Sequence, residues 1–432
     1  MWVNKYNWWF SKIGFVSNAS ITDKLLLGIT FLSIVLIPSV KINEGLYLGI
    51  DEILVLLMGI RIVYKRIFWA DLLILVFALL FVIILTSILI NPNYMDYREY
   101  LELHKLIKFL IIYIFTSWIF MGEINKKDII QFITIVFWCL IAFNTLHLFN
   151  AFYFNEFVTI LFDSDGRDVL TFGKNSIGGP GPKRIVGTMG NPNINAILFL
   201  IFFSFFSFLD IEHKKEYSCW KIDSVWWIRI PLLISILFVI LCQSRTGIAA
   251  LVVIYFLGIY LRKPHWKEIG TEILCVTLFF ALSSFLDTVS LQYLTNTKPQ
   301  IHENNSLSLR IKVWGQLFNS WLESPWFGYG PNKAFIYKTK LYPENEYLFY
   351  LWRYGVQGLL SYLAIFAVPL MFLFNKIRDF AFLYFVIIVL AVVASMNNPL
   401  SNPKISVLFA LILGFSVGVF YNFNHQKKQN AQ

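Results

Sequence analysis

Charge is what this chain has least of. Only 14% of its residues are Asp, Glu, Lys or Arg, against roughly a quarter in a soluble domain. That excludes an ordinary water-facing surface over most of the molecule. Cysteine is also sparse: Cys139, Cys219, Cys242 and Cys275 show no paired spacing. The expectation is therefore neither a disulfide framework nor a metal cluster, and the three in apolar blocks read as small buried hydrophobes. A signal-peptide h-region and a small-residue cleavage site are both missing from Met1 onward, so the first apolar helix is expected to act as the targeting signal. The net charge of +10 lacks the stripe or patch that nucleic-acid binding needs; the basic residues are scattered in ones to threes. No internal repeat is present.

Apolar residues are abundant, at 57% of the chain with 43 phenylalanines. They fall in repeated blocks of about 17–22, the length at which a helix crosses a bilayer. The blocks predict an all-α integral membrane protein of about 12 spans. These are Leu25–Val40, Gly45–Ile60, Phe68–Ile90, Leu106–Met121, Ile129–Asn150, Ile194–Leu209, Val225–Cys242, Thr246–Leu261, Gly270–Leu286, Tyr354–Phe374, Phe380–Met396 and Ile405–Tyr421. With both termini in the cytoplasm, Lys and Arg are nearly twice as dense in the inner segments as in the outer ones, as the positive-inside rule requires. Five regions follow: N-terminal helices (1–162), a periplasmic Gly/Pro-rich loop (163–193), central helices (194–286), a large periplasmic loop (287–353), and C-terminal helices with a cytoplasmic tail (354–432). Leu309, Trp314, Leu317, Phe318, Trp321 and Leu322 recur at helical spacing in the large loop, with tryptophans suited to the membrane interface.

Three helices entering from the outer face begin with polar signatures. One is Arg184 to Asn193, where Asn191 caps and Pro192 starts the helix. Another is Gln243-Ser244-Arg245-Thr246-Gly247, and the third is Pro343-Glu344-Asn345-Glu346-Tyr347. Helix N-termini favour anions, and arginine adds a bidentate fork for phosphate oxygens. An outer-face phosphate on a hydrophobic carrier suggests a polyprenyl-diphosphate-linked sugar. For each arginine the plainer reading is an interfacial anchor, and for Glu344 it is an acid favoured by the helix dipole.

Taken in order, Ser244-Arg245-x-Gly247, Arg310, Gly328-Tyr-Gly330, Glu344-Asn345-Glu346-Tyr347-Leu348 and Gly355-x-x-Gly358 resemble the O-antigen ligase and polymerase superfamily. The Gly190-Asn191-Pro192-Asn193 stretch looks like that family's earlier outer-loop motif. The resemblance covers roughly Arg184 to Leu360. It implies a membrane-embedded glycosyltransferase fold of the C type, working on undecaprenyl-diphosphate-linked oligosaccharide at the periplasmic face of the bacterial inner membrane. No cofactor is implied; a chain-length-determining co-polymerase is a candidate partner. Ligases of the family carry histidine where this chain has Glu344, which turns the resemblance towards the O-antigen polymerases. On this reading Glu344, Arg310 and Arg245 are catalytic, and Arg184, Asn191, Asn193, Asn345, Glu346 and Tyr347 bind substrate. A ligase acting on lipid A core and a lipid-linked-sugar flippase are the rival readings; polar residues gathered on one face disfavour transport. His302 and Glu346 are alternative bases. Asp163-Ser-Asp165 has a metal-binding form but lies on the side lacking nucleotide sugars. Asp51 and Glu52, acids within an apolar segment, are functional suspects, with pairing to a basic neighbour near the outer end as the plainer reading, and His147 is expected to be a satisfied core residue.

Overall fold

The structure is a computed structural model that describes residues 19–37, 40–43, 46–67, 71–91, 97–122, 125–155, 184–213, 226–262, 306–339 and 343–429, with some positions between 266 and 277. Thirteen α-helices are labelled here in chain order: α1 (Ile21–Leu36), α2 (Ile50–Tyr64), α3 (Leu72–Ile90), α4 (Leu101–Met121), α5 (Lys126–Phe149), α6 (Pro192–His213), α7 (Trp226–Leu241), α8 (Arg245–Arg262), α9 (Ser306–Glu323), α10 (Lys333–Thr339), α11 (Glu346–Leu373), α12 (Ala381–Ala394) and α13 (Pro403–Gln429). Among the described residues, seven helical segments are long and apolar enough to cross a membrane; they fall on α3, α4, α5, α6, α8, α11 and α13. All the expected spans but the ninth correspond to a described helix, and most of that ninth block (Gly270–Leu286) lies outside the described residues.

Local chemistry moves several boundaries. Helix α1 starts at Ile21 because Ser20 and Asp23 form a capping box, each side chain meeting the other's backbone N–H. A short antiparallel hairpin, β1 (Val40–Asn43) with β2 (Leu46–Leu48), occupies the expected start of the second span. Helix α2 therefore begins only at Ile50, with Asp51 and Glu52 in its first turn. The tenth expected span begins, as α11, at Glu346 rather than Tyr354, because Asn345 accepts the Leu348 N–H and caps it there. Residues 346–353 are thus helix, not loop.

Helix α6 is the centre of the bundle. It is buried along nearly its whole length and packs against α7, α8 and α12. Helix α13 lies along α4, where a Cβ on Gly414 would come 2.8 Å from the Tyr113 carbonyl oxygen and one on Gly418 would come 2.6 Å from that of Ser117. Small residues four apart permit that close approach. Helix α3 turns the other way: Leu72, Leu75, Leu79, Val82 and Leu89 are all exposed, an apolar stripe fit for lipid. Cys139 is also exposed, on α5, and Cys242 is buried; the apolar block predicted burial for both, but α5 turns Cys139 outward.

Polar groups gather at the two ends. At one end Arg61 pairs with Asp23 at 2.7 Å, and Arg262 pairs with Glu272 at 2.7 Å and Asp210 at 3.1 Å. At the other end Lys108 on α4 reaches Asp51 and, at 2.6 Å, Glu52. There too Lys404 donates to the carbonyl oxygens of Ile37 and Thr188. His147 bonds Asn155 at 2.6 Å and is buried. The candidate site occupies this second end.

Candidate functional site

The site is built on three helix starts and the turn between α12 and α13. At the first, Asn191 accepts the Asn193 N–H at 2.9 Å and caps α6. The chain just before it, 184–190, is held from beneath. Asn195 donates to the Asn144 side-chain oxygen at 3.0 Å, and Lys404 donates to Thr188 at 3.0 Å. Gly187 sits over these amides at φ +55°, where a Cβ would come 2.4 Å from the Asn144 oxygen, so only glycine fits. That footing aims Arg184: its Nη2 donates to Asn193 Oδ1 at 2.8 Å and its Nε to the Cys242 carbonyl at 3.2 Å.

Helix α8 begins next to it. Ser244 accepts the Gly247 N–H at 3.2 Å, which leaves Arg245 exposed in the first turn. Thr246 accepts from Asn397 Nδ2 at 2.8 Å, and Asn193 Nδ2 donates to Asn397 Oδ1 at 3.4 Å. One asparagine from the α12–α13 turn thus ties the Arg184 segment to the start of α8.

Helix α9 delivers the third part. Arg310 and Trp314 are four residues apart and share a face. The Trp314 indole N–H donates to the Pro343 carbonyl, and Arg310 forms an ion pair with Glu344. A small core of Leu317, Ile336, Phe349 and Trp352 fixes α9 on α11. Of the apolar positions expected on α9, Leu317 faces this core with Trp321 packed beside it, whereas Leu309, Phe318 and Leu322 are exposed. Glu344 holds φ +40°, a left-handed conformation costing on the order of 1 kcal/mol or more in a non-glycine residue. Such strain persists only where the surroundings over-determine it.

Glu346 and Tyr347 point inward instead. Glu346 is fully buried and accepts the Ser401 N–H at 2.6 Å, the Ser401 hydroxyl at 2.8 Å, the Leu400 N–H at 3.0 Å and the Tyr362 hydroxyl at 2.9 Å. Tyr347 donates to the Ala391 carbonyl at 2.6 Å. Glu346 thus fastens α11 to the 395–402 turn, and Tyr347 fastens it to α12. His302 and Asp163-Ser-Asp165 lie outside the described residues.

The glycine motifs explain a further feature. Gly355 breaks α11 at φ +67°, ψ −166°, freeing the carbonyls of Trp352 and Arg353. The Tyr329 and Gly330 N–H groups take them at 3.1 and 2.8 Å. A Cβ on Gly328 would come 2.4 Å from the Arg353 carbonyl carbon, and one on Gly355 would come 2.2 Å from the Trp326 oxygen. Backbone therefore docks directly on backbone, and Arg353 is held beside Glu102, Lys105 and Lys333.

Sequence reading missed two parts of this end: that charged group and the turn at 397–402. The turn's signal was available, since Asn397-Asn398-Pro399-Leu400-Ser401-Asn402-Pro403 is a polar run between two apolar blocks. The charged group had no local signal, because its members come from residues 102, 105, 333 and 353.

The fold and this end together define a multi-pass, all-helical membrane protein whose cations and amides converge at one end of the bundle. Residues 230–363 match the family described as O-antigen ligase, in agreement with the resemblance to the O-antigen ligase and polymerase superfamily. The matched span includes Arg245, Arg310, Glu344 to Tyr347 and both glycine motifs, while Arg184, Asn191 and Asn193 precede it. No curated protein matches the chain.

Proposed function

We propose that this chain is a glycosyltransferase that polymerises a surface polysaccharide at the periplasmic face of the inner membrane. The growing glycan, held on undecaprenyl diphosphate, is the donor, and a hydroxyl of a new lipid-linked repeat unit is the acceptor. The observation that carries this reading is the Arg310–Glu344 pair at the head of α11, inside the span that matches the O-antigen ligase family. Arg184 and Arg245 stand at the same end of the bundle.

The chemistry balances on these groups. The acceptor hydroxyl oxygen forms a bond to the anomeric carbon as its proton passes to the Glu344 carboxylate. The bond from that carbon to the diphosphate oxygen breaks, and the electron pair leaves with the diphosphate. Arginine donors aimed at the leaving oxygens stabilise that charge. The ion pair couples the two roles: a diphosphate that draws Arg310 away releases Glu344 as the base.

The test is the glycan ladder of cells carrying Glu344→Gln. The variant keeps the side-chain shape and removes proton acceptance, typically worth about 10²–10⁴ in rate. Long chains should disappear and single-unit caps remain. A wild-type ladder would remove Glu344 from the mechanism. A ligase reading is favoured by the description of the matching family. On that reading, deletion of the gene abolishes all attached antigen instead of leaving one repeat unit.

A further inference from the structure

We infer that Lys105, Lys333 and Arg353 form a second phosphate-binding site, whose seat is held by the Glu102 carboxylate in this structure. Three cations converge on one carboxylate oxygen: Lys333 Nζ lies 2.9 Å, Lys105 Nζ 3.3 Å and Arg353 Nη1 3.7 Å from Glu102 Oε1. Lys333 and Arg353 are only 9% and 5% exposed. Burying cations without matching anions is costly, and one carboxylate cannot match three of them. Arg98 and Glu99, one turn before Glu102, add one charge of each sign and leave the excess unchanged.

The surroundings hold the cations in place. The Arg353 guanidinium lies 3.6 Å from the centre of the Phe349 ring, and Lys105 also donates to the Ser401 carbonyl at 3.0 Å. The Gly328, Gly330 and Gly355 contacts described above set the Arg353 backbone. A small cavity lies beside residues adjacent in sequence to the group, lined by Ser87, Asn91, Glu99, Tyr100, Tyr329 and Asn332. Asn332, next to Lys333, is 3% exposed, and its Oδ1 has no hydrogen-bond partner among the described residues. A buried acceptor in want of a donor fits a hydroxylated group beside the phosphate. The chemistry is that of a phosphate or diphosphate ester. Glu102 and Lys105 lie before the matched span, and none of the four charged residues belongs to the Arg245–Arg310–Glu344 set. Assigning the phosphate to the second lipid-linked substrate rests on the polymerase proposal; the site itself does not.

The test is calorimetric titration of full-length protein in detergent with inorganic pyrophosphate, in an Arg245→Gln/Arg310→Gln background that silences the first clamp. Adding Lys333→Gln should weaken binding about tenfold, the worth of one charge-assisted hydrogen bond, and Lys333→Arg should retain it. Glu102→Gln should tighten binding about tenfold, because the internal competitor is gone. A merely structural ion cluster gives the opposite sign: Glu102→Gln then weakens binding or leaves it unchanged, and either result overturns the proposal. So does unchanged binding in Lys333→Gln. The sign of the Glu102→Gln effect decides the matter even if Lys333→Gln does not fold. Two lipid arms identify the source. Competition by phosphatidylglycerol in phosphatidylcholine nanodiscs, lost in Lys333→Gln, marks a bilayer headgroup. Absence of competition with pyrophosphate binding intact marks a substrate diphosphate. A normal glycan ladder in Glu344→Gln would defeat the polymerase mechanism and leave these titrations untouched.

Discussion

Glu344 and Glu346 are two residues apart on one turn, and the substitution of each by glutamine should separate catalysis from architecture. Each Glu346 carboxylate oxygen accepts two hydrogen bonds, one from a backbone N–H and one from a hydroxyl. An amide has one oxygen, so in Glu346→Gln the new NH₂ faces a backbone N–H and a hydroxyl whichever way the side chain is turned. The hydroxyl can rotate away. The backbone N–H of Leu400 or Ser401 cannot, and an unsatisfied buried donor costs about 1–3 kcal/mol. The two remaining bonds lose their charge assistance, at roughly 1 kcal/mol each. The sum is about 3–5 kcal/mol, a large fraction of the roughly 5–15 kcal/mol by which folded domains are stable. Glu346→Gln should therefore lower the apparent unfolding midpoint in detergent by several degrees at a fixed scan rate, and reduce the folded yield. Glu344→Gln, at a partly exposed site, should leave the midpoint near wild type while removing glycan elongation. A Glu346→Gln protein with wild-type stability and no activity would refute the reasoning and make Glu346 the base.

Four further outcomes are expected. Arg245→Lys keeps the charge but loses the bidentate fork, so glycan chains should shorten in cells with normal protein levels; wild-type chain length would leave Arg245 as an interfacial anchor. Gly355→Ala places a Cβ 2.2 Å from the Trp326 oxygen at a φ of +67°. It should cost upwards of about 3 kcal/mol and lower the unfolding midpoint more than Gly315→Ala, where a Cβ meets nothing within 4 Å. Burial pushes Lys333 down to about 8, against the attraction of Glu102 and with Lys105 and Arg353 also facing it. Pyrophosphate affinity at that site should fall as pH rises through about 8. Folding stability should move the other way. Between about 8 and the ordinary lysine value of 10.5, the unfolded chain binds more protons than the native one, so stability rises with pH.

Apolar runs and polar helix starts are local properties, legible from the order of residues alone. Lengths of apolar block gave the spans, and Asn191 and Ser244 cap helices as their positions suggested, because a cap needs only the next three backbone N–H groups. A local competitor moved two boundaries: the β1–β2 hairpin delayed α2 to Ile50, and the Asn345 cap started α11 at Glu346 instead of Tyr354. Which polar residues meet is a matter of packing. Packing paired Arg310 with Glu344 across the loop, set Glu346 against Leu400 and Ser401, and gathered Lys105, Lys333 and Arg353 on Glu102. Most such pairings join residues separated by tens to hundreds of positions, and no spacing rule reaches across them. They depend on which helix ends share a level and on which backbone can approach which. At Gly328 and Gly355, that approach is set by the absence of a Cβ.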